Sequence, residues 1–200
     1  MPQTRPLSPR LYSGLRRVVE LGFGRDLRLL EPLLRGYAHV ADLGCGSGEL
    51  TPAIASGSYL GLDWDLGQLG YAADKYGTQA KRFACADLTR LPLADAALPA
   101  LLFSKAAHHM DDDQVQAVLA EALRIAVVGA KLVIVDVYPA GHGLMHDLLV
   151  NRELGEHHRQ PGELERLAIE VGWTAIERHE LRKPTLACYV LVMRKPEEFG

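Results

Sequence analysis

An apolar run that passes directly into a glycine turn limits the folds open to this chain. Residues 40–48 read Val-Ala-Asp-Leu-Gly-Cys-Gly-Ser-Gly, so a predicted strand ends in a G-x-G-x-G turn. Glycines there permit positive φ angles and let a ligand approach the bare backbone. The pattern therefore indicates an α/β fold with a ligand-binding loop at the end of its first strand.

Short apolar runs alternate with helix-like stretches after residue 40. The runs are Val40–Leu43, Tyr59–Leu62, Arg82–Ala86, Ala100–Phe103 and Leu132–Val137, and the helix-like stretches cover about residues 49–56, 66–76, 112–127 and 161–171. This alternation predicts a parallel sheet with helices on both faces. Two further runs, Thr174–Leu181 and Leu186–Met193, are joined by too short a turn for a crossover, so they are predicted to pair antiparallel.

No repeat or linker divides the sequence, so residues 1–200 are predicted to form a single domain. Residues 1–38 are predicted to be a helical cap of two short helices, because Gly22 and Gly24 interrupt the apolar pattern. Residues 139–160 form one long irregular segment, and long loops inside compact domains are often functional.

Composition excludes several classes of protein. Lys+Arg 22 against Asp+Glu 25 gives a net charge of −3, which offers no basic excess for binding DNA or RNA. No apolar run approaches the roughly 20 residues that cross a bilayer, so no membrane span is expected. The three cysteines form no Cys-x-x-Cys pair, so neither a metal site nor a disulfide framework is expected. They are predicted to be small buried side chains in a reducing, cytoplasmic compartment.

Acidic residues around the glycine turn indicate which ligand it holds. Asp63 ends the second run 21 residues after Asp42, about where a carboxylate binds ribose hydroxyls in nucleoside-binding folds. Glu49 stands where a dinucleotide-binding pattern requires glycine and, with Asp42, would repel a pyrophosphate. A cofactor with an ammonium and a sulfonium would not be repelled. Charge therefore favours S-adenosylmethionine over NAD, and a loop without any ligand is the alternative.

Five segments together resemble the class I S-adenosylmethionine-dependent methyltransferases, specifically the small-molecule type, from about residue 10 to residue 195. They are Asp42-Leu43-Gly44-Cys45-Gly46-Ser47-Gly48, Gly61-Leu62-Asp63, Ala86-Asp87-Leu88, Phe103-Ser104-Lys105-Ala106-Ala107-His108-His109-Met110 and Gly129-Ala130-Lys131-Leu132-Val133-Ile134-Val135-Asp136. The resemblance implies a Rossmann-like, doubly wound seven-stranded sheet in the order 3-2-1-4-5-7-6, with strand 7 antiparallel and helices on both faces.

The resemblance also implies S-adenosylmethionine as cofactor, S-adenosylhomocysteine as product, and a set of binding residues. Asp42 and the Ser104 carbonyl would lie near the methionine ammonium, Asp63 would hold both ribose hydroxyls, and Asp87 would bind the adenine amino group. Trp64 would either cover the adenine or pack against the protein. The full set is Asp42, Gly44, Cys45, Gly46, Asp63, Trp64, Asp87, Leu88 and Ser104.

The sequence departs from the family pattern at two places. Leu98-Pro99-Ala100 replaces the usual Phe-Asp pair that opens strand 4, and proline fits the first residue of a strand because it lacks an N–H. Lys105 would be unfavourable beside a sulfonium if it were buried and unpaired. It is expected to point away, to pair with an acid, or to meet an anionic part of the acceptor.

The acceptor side of the site is indicated less directly. Methyl transfer is an in-line displacement, and it needs a base only when the acceptor must lose a proton. His108 and His109 follow strand 4 and are the catalytic candidates, although either could instead cap or pack under the next helix. Residues 139–160 are expected to cover the acceptor. The candidate acceptor-binding residues are Tyr12, Tyr138, His142, Met145 and Arg152. His157, His158 and Arg159 are predicted to be a solvated turn.

The sequence therefore predicts an S-adenosylmethionine-dependent methyltransferase that acts on a small molecule. Lack of a basic stripe and of an N-P-P-Y or D-P-P-Y motif supports this acceptor class. The alternatives are a methyltransferase that acts on protein or RNA, and a protein of the same fold that binds the cofactor without transferring a methyl group. The sequence does not indicate an oligomeric state.

Overall fold

The structure, a computed structural model, describes residue 14 and residues 23–55, 57–139, 157–182 and 186–197. Within these ranges the chain forms seven strands. They are β1 (His39–Leu43), β2 (Ser58–Asp63), β3 (Lys81–Cys85), β4 (Leu98–Ser104), β5 (Ala126–Pro139), β6 (Thr174–Arg182) and β7 (Leu186–Arg194). The helices are α1 (Gly24–Leu34), α2 (Leu66–Tyr76), α3 (Asp112–Ile125) and α4 (Pro161–Val171), and 3₁₀ turns cover Thr51–Ala53 and Ala107–His109.

The strands form one sheet in the order β3-β2-β1-β4-β5-β7-β6. Strands β1 to β5 pair parallel where they are neighbours, whereas β7 pairs antiparallel with both β5 and β6. The predicted order and the antiparallel terminal hairpin are confirmed. Because parallel strands share a direction, the carboxyl ends of β1, β2, β4 and β5 meet at one edge of the sheet, where the glycine turn also lies.

Side-chain alternation along the strands separates two hydrophobic clusters, one on each face of the sheet. The first cluster contains Leu101 and Phe103 of β4 and the apolar sides of α3 and α4. The second contains Leu102 of β4 together with Leu30 and Leu34 of α1. The prediction of helices on both faces is therefore confirmed.

The helix predicted at residues 49–56 is wrong, because a 3₁₀ turn over Thr51–Ala53 takes its place. The amide of Thr51 donates to the Gly48 carbonyl at 3.0 Å, a bond to the third residue back, and Pro52 has no N–H with which to continue an α-helical pattern. The chain then turns at Gly57 into β2. The glycine loop therefore leads into a tight turn and not into an α-helix.

Two strand boundaries also differ from their predictions. Pro99 is the second residue of β4, not the first, and the pairing of β4 with β5 shifts register between Leu98 and Ala100. Strand β5 begins at Ala126, directly after α3, and Gly129 with φ of +74° lies within it. Pro99 and Gly129 both weaken strand hydrogen bonding, and both lie in irregular parts of β4 and β5.

The prediction of three buried cysteines is correct only in part. Cys188 is buried in β7, Cys45 is partly buried in the glycine loop, and Cys85 is exposed at the end of β3. Strand β3 is an edge strand with few buried positions, which explains the exposure of its last residue.

Gly61 lies in β2 where two side chains from its neighbours meet. A Cβ at this position would stand 2.7 Å from Cδ1 of Phe83 and 2.8 Å from Sγ of Cys45. We expect Gly61→Ala to lower the free energy of unfolding by roughly 1–3 kcal/mol, because the added methyl overpacks this contact. Urea unfolding measures the change. Gly70→Ala is the matched control, since a Cβ there meets open space in α2 and should stabilise by about 0.5–1 kcal/mol. Equal stability of the two variants would contradict the prediction.

Candidate functional site

The glycine loop is anchored to β2 through its backbone. The amides of Gly44 and Cys45 both donate to the Leu62 carbonyl, at 2.8 and 3.0 Å. Gly44 has φ of +78°, and a Cβ on it would lie 2.8 Å from Cβ of Ala106. A Cβ on Gly46 would meet nothing within 4 Å. The loop therefore packs tightly on one side and leaves open space beside Gly46 for a ligand.

Asp63, the predicted ribose ligand, is held by the same loop. Its Oδ2 accepts from the Gly46 amide at 2.8 Å, and its Oδ1 accepts from the Asp65 amide at 3.0 Å. The side chain is 9% exposed. Each carboxylate oxygen retains a further lone pair, so two ribose hydroxyls could still donate to it. The loop and the carboxylate are thus one hydrogen-bonded unit.

A small cavity opens beside this unit. Its lining residues are Phe23, Asp42, Gly44, Cys45, Glu49, Leu50, Ser104 and Lys105. Asp42 Oδ1 and Ser104 Oγ are buried without a hydrogen-bond partner among the described residues. Buried polar atoms are normally paired, so both atoms indicate a ligand that supplies donors. An ammonium group has three donors, and the site therefore fits the methionine end of S-adenosylmethionine.

The pKa of Asp42 is raised by its surroundings at this cavity. Complete burial raises its pKa to about 7, the Tyr59 hydroxyl lowers it by donating at 2.7 Å, and the charge of Asp63 raises it further. A positive ligand group would favour the charged form. Binding of an ammonium beside Asp42 should therefore release the proton that burial retains.

Glu49 is buried, and its charge is paired. Lys75 Nζ lies 3.2 Å from Oε1, and the Tyr76 hydroxyl lies 3.2 Å from Oε2. Since residue 49 also precedes a 3₁₀ turn, no α-helix N-terminus stands there to attract a pyrophosphate. The preference for a cationic ligand rests on Asp42 and Asp63 instead.

Lys105 pairs with an acid, one of the three outcomes expected for it. Its Nζ lies 3.3 Å from Asp26 Oδ1, with the two side chains 3% and 1% exposed, and 4.9 Å from the ring centroid of Phe23. Asp26 belongs to α1, and Phe23 directly precedes that helix. The pair therefore fixes the start of α1 over the cavity, and its positive charge is neutralised.

The predicted adenine-binding residues lie at the surface beside β2 and β3. Trp64 is 81% exposed. Asp87 is also exposed, and its Oδ1 accepts from both the amide and the hydroxyl of Thr89, which lowers the pKa of Asp87. The Leu88 side chain is buried in the core and packs beneath Gly44. A cap role for Asp87 is present in the structure, and its contact with adenine stays a prediction.

His108 and His109 lie in the 3₁₀ turn after β4, and their ring centroids are 4.1 Å apart. His108 is buried, with Nδ1 2.5 Å from Oδ1 of Asp136. Sequence reasoning gave Asp136 no role, although an acid inside the apolar run 132–137 was a signal for one. The pairing itself joins residues 28 positions apart and could not be read from spacing.

The prediction of a solvated turn at residues 157–159 is correct for the two histidines and wrong for Arg159. His157 and His158 are exposed, whereas Arg159 is 5% exposed. Its guanidinium binds Asp112 at 2.7 Å and donates to the carbonyls of Ala107 and Met110. Arg159 is buried because it satisfies backbone acceptors around the histidine turn.

Most of the predicted acceptor-binding residues cannot be placed. Tyr12, His142, Met145 and Arg152 lie outside the described residues, as does most of the segment 139–160. Tyr138 is half-buried at the end of β5, with its ring centroid 5.9 Å from that of Tyr189. Among the described residues, no group of three or more His, Cys, Asp or Glu side chains could hold a metal ion. No helix in the described ranges is long and apolar enough to span a membrane.

Comparison with known proteins identifies the domain. Residues 40–129 match the methyltransferase domain family. Over residues 40–129 the chain is therefore similar to S-adenosylmethionine-dependent methyltransferases. This match covers the glycine loop, Asp63, Asp87 and the histidine turn. No curated protein matches the chain in sequence.

Solved structures of methyltransferase domains share the fold. A methyltransferase from Methanosarcina mazei has a TM-score of 0.68 at 18% identity, over 85% of this chain and 98% of that one. Geranyl diphosphate C-methyltransferase from Streptomyces coelicolor, solved with Mg²⁺, geranyl diphosphate and S-adenosylhomocysteine, has a TM-score of 0.67 at 14% identity, over 86% and 77%. The [4+2]-cyclase SpnF has a TM-score of 0.73 at 17% identity, over 96% and 97%. At these identities the likeness establishes the fold alone.

The raised pKa of Asp42 predicts that this carboxylate lowers the free energy of unfolding at neutral pH while it favours binding of a cationic ligand. Between about pH 4 and pH 7 the folded chain keeps a proton that the unfolded chain loses, so this residue lowers stability as pH rises through that window. We expect Asp42→Asn to stabilise the protein by about 2–4 kcal/mol at pH 8, since three pKa units correspond to about 4 kcal/mol. The variant should differ little from the wild type at pH 4.

Urea unfolding at pH 4 and pH 8 measures this difference. The same variant should bind S-adenosylhomocysteine at least about tenfold more weakly at pH 8, since the ammonium loses its counter-charge. A stability difference that did not change between the two pH values would show that Asp42 is ionised throughout.

Trp64 offers an optical test of the adenine site. If adenine covers the exposed indole, S-adenosylhomocysteine should change the fluorescence of the wild type. Trp64→Phe should abolish the change while retaining affinity within about threefold, because phenylalanine also stacks. The remaining Trp173 is 2% exposed and donates its indole N–H to the Leu119 carbonyl, so it serves as an internal reference. An unchanged signal in Trp64→Phe would exclude the contact.

Proposed function

We propose that this chain transfers a methyl group from S-adenosylmethionine to a small-molecule acceptor by in-line displacement. The observation that carries the proposal is the pair of buried, unpartnered oxygens, Asp42 Oδ1 and Ser104 Oγ, at the cavity beside the glycine loop. The methyltransferase domain match at residues 40–129 supports the choice of cofactor.

The chain's residues would hold the cofactor along the carboxyl edge of the sheet. Asp42 would neutralise the methionine ammonium, with Ser104 on the neighbouring strand end providing further acceptors. Asp63 would bind the ribose hydroxyls with the two oxygens that the Gly46 and Asp65 amides already orient. Trp64, Asp87 and the Leu88 backbone would bind the adenine. When bound, the cofactor supplies a methyl group on a positive sulfur, which is an efficient leaving group.

Enclosure of the cavity supports a small acceptor. Phe23 lines the cavity, and the buried Lys105–Asp26 pair holds α1 against it. A site closed on this side by a packed helix admits a small molecule more easily than a folded protein or RNA. The net charge of −3 adds no attraction for RNA. Residues 139–160 would cover the acceptor from the other side.

Catalysis in this site would come from position and from exclusion of water. Holding the nucleophile, the methyl carbon and the sulfur in line removes most of the entropic barrier of a bimolecular displacement. SpnF, which shares this fold, is a [4+2]-cyclase. A non-methylating role for this chain therefore remains the second candidate function.

A tritium-transfer assay distinguishes these functions. The protein is incubated with methyl-tritiated S-adenosylmethionine and a cell extract, which is then separated into a low-mass ultrafiltrate, RNA and protein. We expect the label in the ultrafiltrate. Asp63→Ala should lower its rate of appearance at least about tenfold, because the ribose contacts are lost. Asp74→Ala removes the same charge from an exposed position of α2, and it should leave the rate unchanged.

The other outcomes each contradict a different part of the proposal. Label in RNA or protein would replace the small-molecule acceptor with a macromolecular one. Tight binding of S-adenosylhomocysteine by calorimetry without transfer to any fraction would favour the non-methylating function. Failure of the wild type to bind S-adenosylhomocysteine would exclude the cofactor itself.

A further inference from the structure

A buried histidine–aspartate pair lies where β4 and β5 end. His108 Nδ1 and Asp136 Oδ1 are 2.5 Å apart, and the two side chains are 5% and 0% exposed. Asp136 Oδ2 has no hydrogen-bond partner among the described residues, nor does the hydroxyl of Tyr189, which pairs with Asp136 across β5 and β7. Within the described ranges, His108 is therefore the one side chain hydrogen-bonded to this buried carboxylate.

The backbone that carries His108 is fixed from outside the turn. Arg159 donates to the carbonyls of Ala107 and Met110, at 2.9 and 2.8 Å, and the His157 amide donates to the His108 carbonyl at 3.1 Å. Arg159 is itself held by Asp112. Three backbone carbonyls of the histidine turn, those of Ala107, His108 and Met110, thus accept from one neighbouring segment, which fixes the turn before any substrate binds.

The pair lies on the opposite face of the sheet from the cofactor cavity. Asp136 follows the alternation of Leu132 and Ile134, which belong to the cluster under α3 and α4, and Tyr189 belongs to the same cluster. Asp42 follows the alternation of Val40, which belongs to the cluster under α1. An in-line displacement needs the nucleophile and the sulfur on opposite sides of the methyl carbon. His108 follows the cavity residue Ser104 by four positions, so an acceptor that entered from the His108 side would approach the cavity from the face opposite α1.

We propose that His108 takes a proton from the methyl acceptor and that Asp136 is the positioning residue that orients the imidazole ring. The inference rests on the proposed methyl transfer and names its acceptor class, a nucleophile that arrives with a proton, such as a hydroxyl or an ammonium. Asp136 fixes the neutral ring with its proton on Nδ1, which leaves the Nε2 lone pair for the acceptor.

The step balances in atoms and charge. A lone pair on the acceptor atom, which an ammonium has only after its proton has left, forms the bond to the methyl carbon, and the carbon–sulfur bond breaks with its electron pair on sulfur. The acceptor's proton passes to Nε2 of His108, which becomes an imidazolium beside the Asp136 carboxylate. Water then removes that proton. The Asp136 carboxylate faces that imidazolium at Nδ1 and holds the ring in place, which is the contribution required of a positioning residue.

Two titratable groups beside the pair are neutral near pH 7. Partial burial of the ring lowers the pKa of His158, whose ring centroid lies 6.5 Å from that of His108. Burial and the charge of Asp136 raise the pKa of Tyr189, so both groups are neutral near pH 7. The titratable groups with a described interaction with the pair are His109 on its own turn, His158 before α4 and Tyr189 on β7.

Nitrogen-15 NMR of the imidazoles tests the pair without knowledge of the acceptor. The full chain is studied with S-adenosylhomocysteine, and the His108 signals are assigned by their loss in His108→Gln. We expect the neutral ring of His108 to carry its proton on Nδ1. Asp136→Asn should raise the share of rings that carry the proton on Nε2, because Nδ1–H then no longer faces a carboxylate. Asp113→Asn, the matched control, removes the same charge from an exposed position of α3 and should change it much less.

An Nε2-protonated neutral ring, or an equal effect of Asp136→Asn and Asp113→Asn, would overturn the proposal. The wild type also supplies a second measurement in case Asp136→Asn fails to fold. Diethyl pyrocarbonate reacts with an accessible imidazole lone pair, so mass spectrometry of the treated folded protein should find His108 modified at Nε2. A His108 that reacts only after unfolding would show a structural pair and overturn the proposal.

Calorimetry with S-adenosylhomocysteine separates this result from the proposed function. Asp136→Asn should bind it within about threefold of the wild type, because the pair lies on the acceptor side. If the wild type fails to bind, the cofactor assignment fails while the imidazole tautomer and reactivity remain measurable. If the wild type binds but His108 has the wrong tautomer, only the proton-accepting pair is excluded.

Discussion

The hydrogen bonds that tie the glycine loop to the end of β2 support everything else in the site. Two amides of the loop share the Leu62 carbonyl, and a third, that of Gly46, binds the Asp63 carboxylate. The close approach this requires leaves no room for a side chain at Gly44 or Gly61. With the loop held in this way, Asp42 of β1 and Ser104 of β4 line one cavity, and Asp63 of β2 is hydrogen-bonded to the loop beside it. The cofactor site is therefore a property of strand ends in register.

This arrangement buries several ionisable side chains, which costs desolvation free energy. The chain buries Asp42, the pair Lys105–Asp26 and the pair His108–Asp136 at the same edge of the sheet. A buried ion pair seldom adds stability over apolar packing, because desolvation offsets the attraction. Asp42 has only a neutral hydroxyl as its described partner, which explains why its pKa is raised. Such groups are understood most simply as the chain's preparation for charged or proton-carrying ligands.

Local patterns in the sequence predicted the strands, the glycine turn and the antiparallel terminal hairpin. Strand period, the glycine turn and the spacing from Asp42 to Asp63 are short-range features, and the family resemblance supplied the strand order that they could not. The 3₁₀ turn at residues 51–53 was missed because apolar spacing does not distinguish it from an α-helix. The contacts of Asp26 with Lys105, of His108 with Asp136 and of Arg159 with Ala107 join distant positions. Only packing of α1, α4 and β5 against the strand ends brings these residues together.

The chain that leaves β4 passes from the cavity to the His108–Asp136 pair. Ser104 and Lys105 face the cavity closed by α1, whereas His108, after one further turn, faces Asp136 under α3 and α4. Lys105 has φ of +53°, a left-handed conformation that a lysine rarely adopts, and this bend lets the chain leave one face and reach the other within four residues. A strained backbone persists where surrounding contacts hold it in place. Here the ion pair of Lys105 with Asp26 holds the side chain, and Arg159 holds the turn that follows. The separation of the cavity from the His108–Asp136 pair across one sheet edge thus depends on a single strained residue.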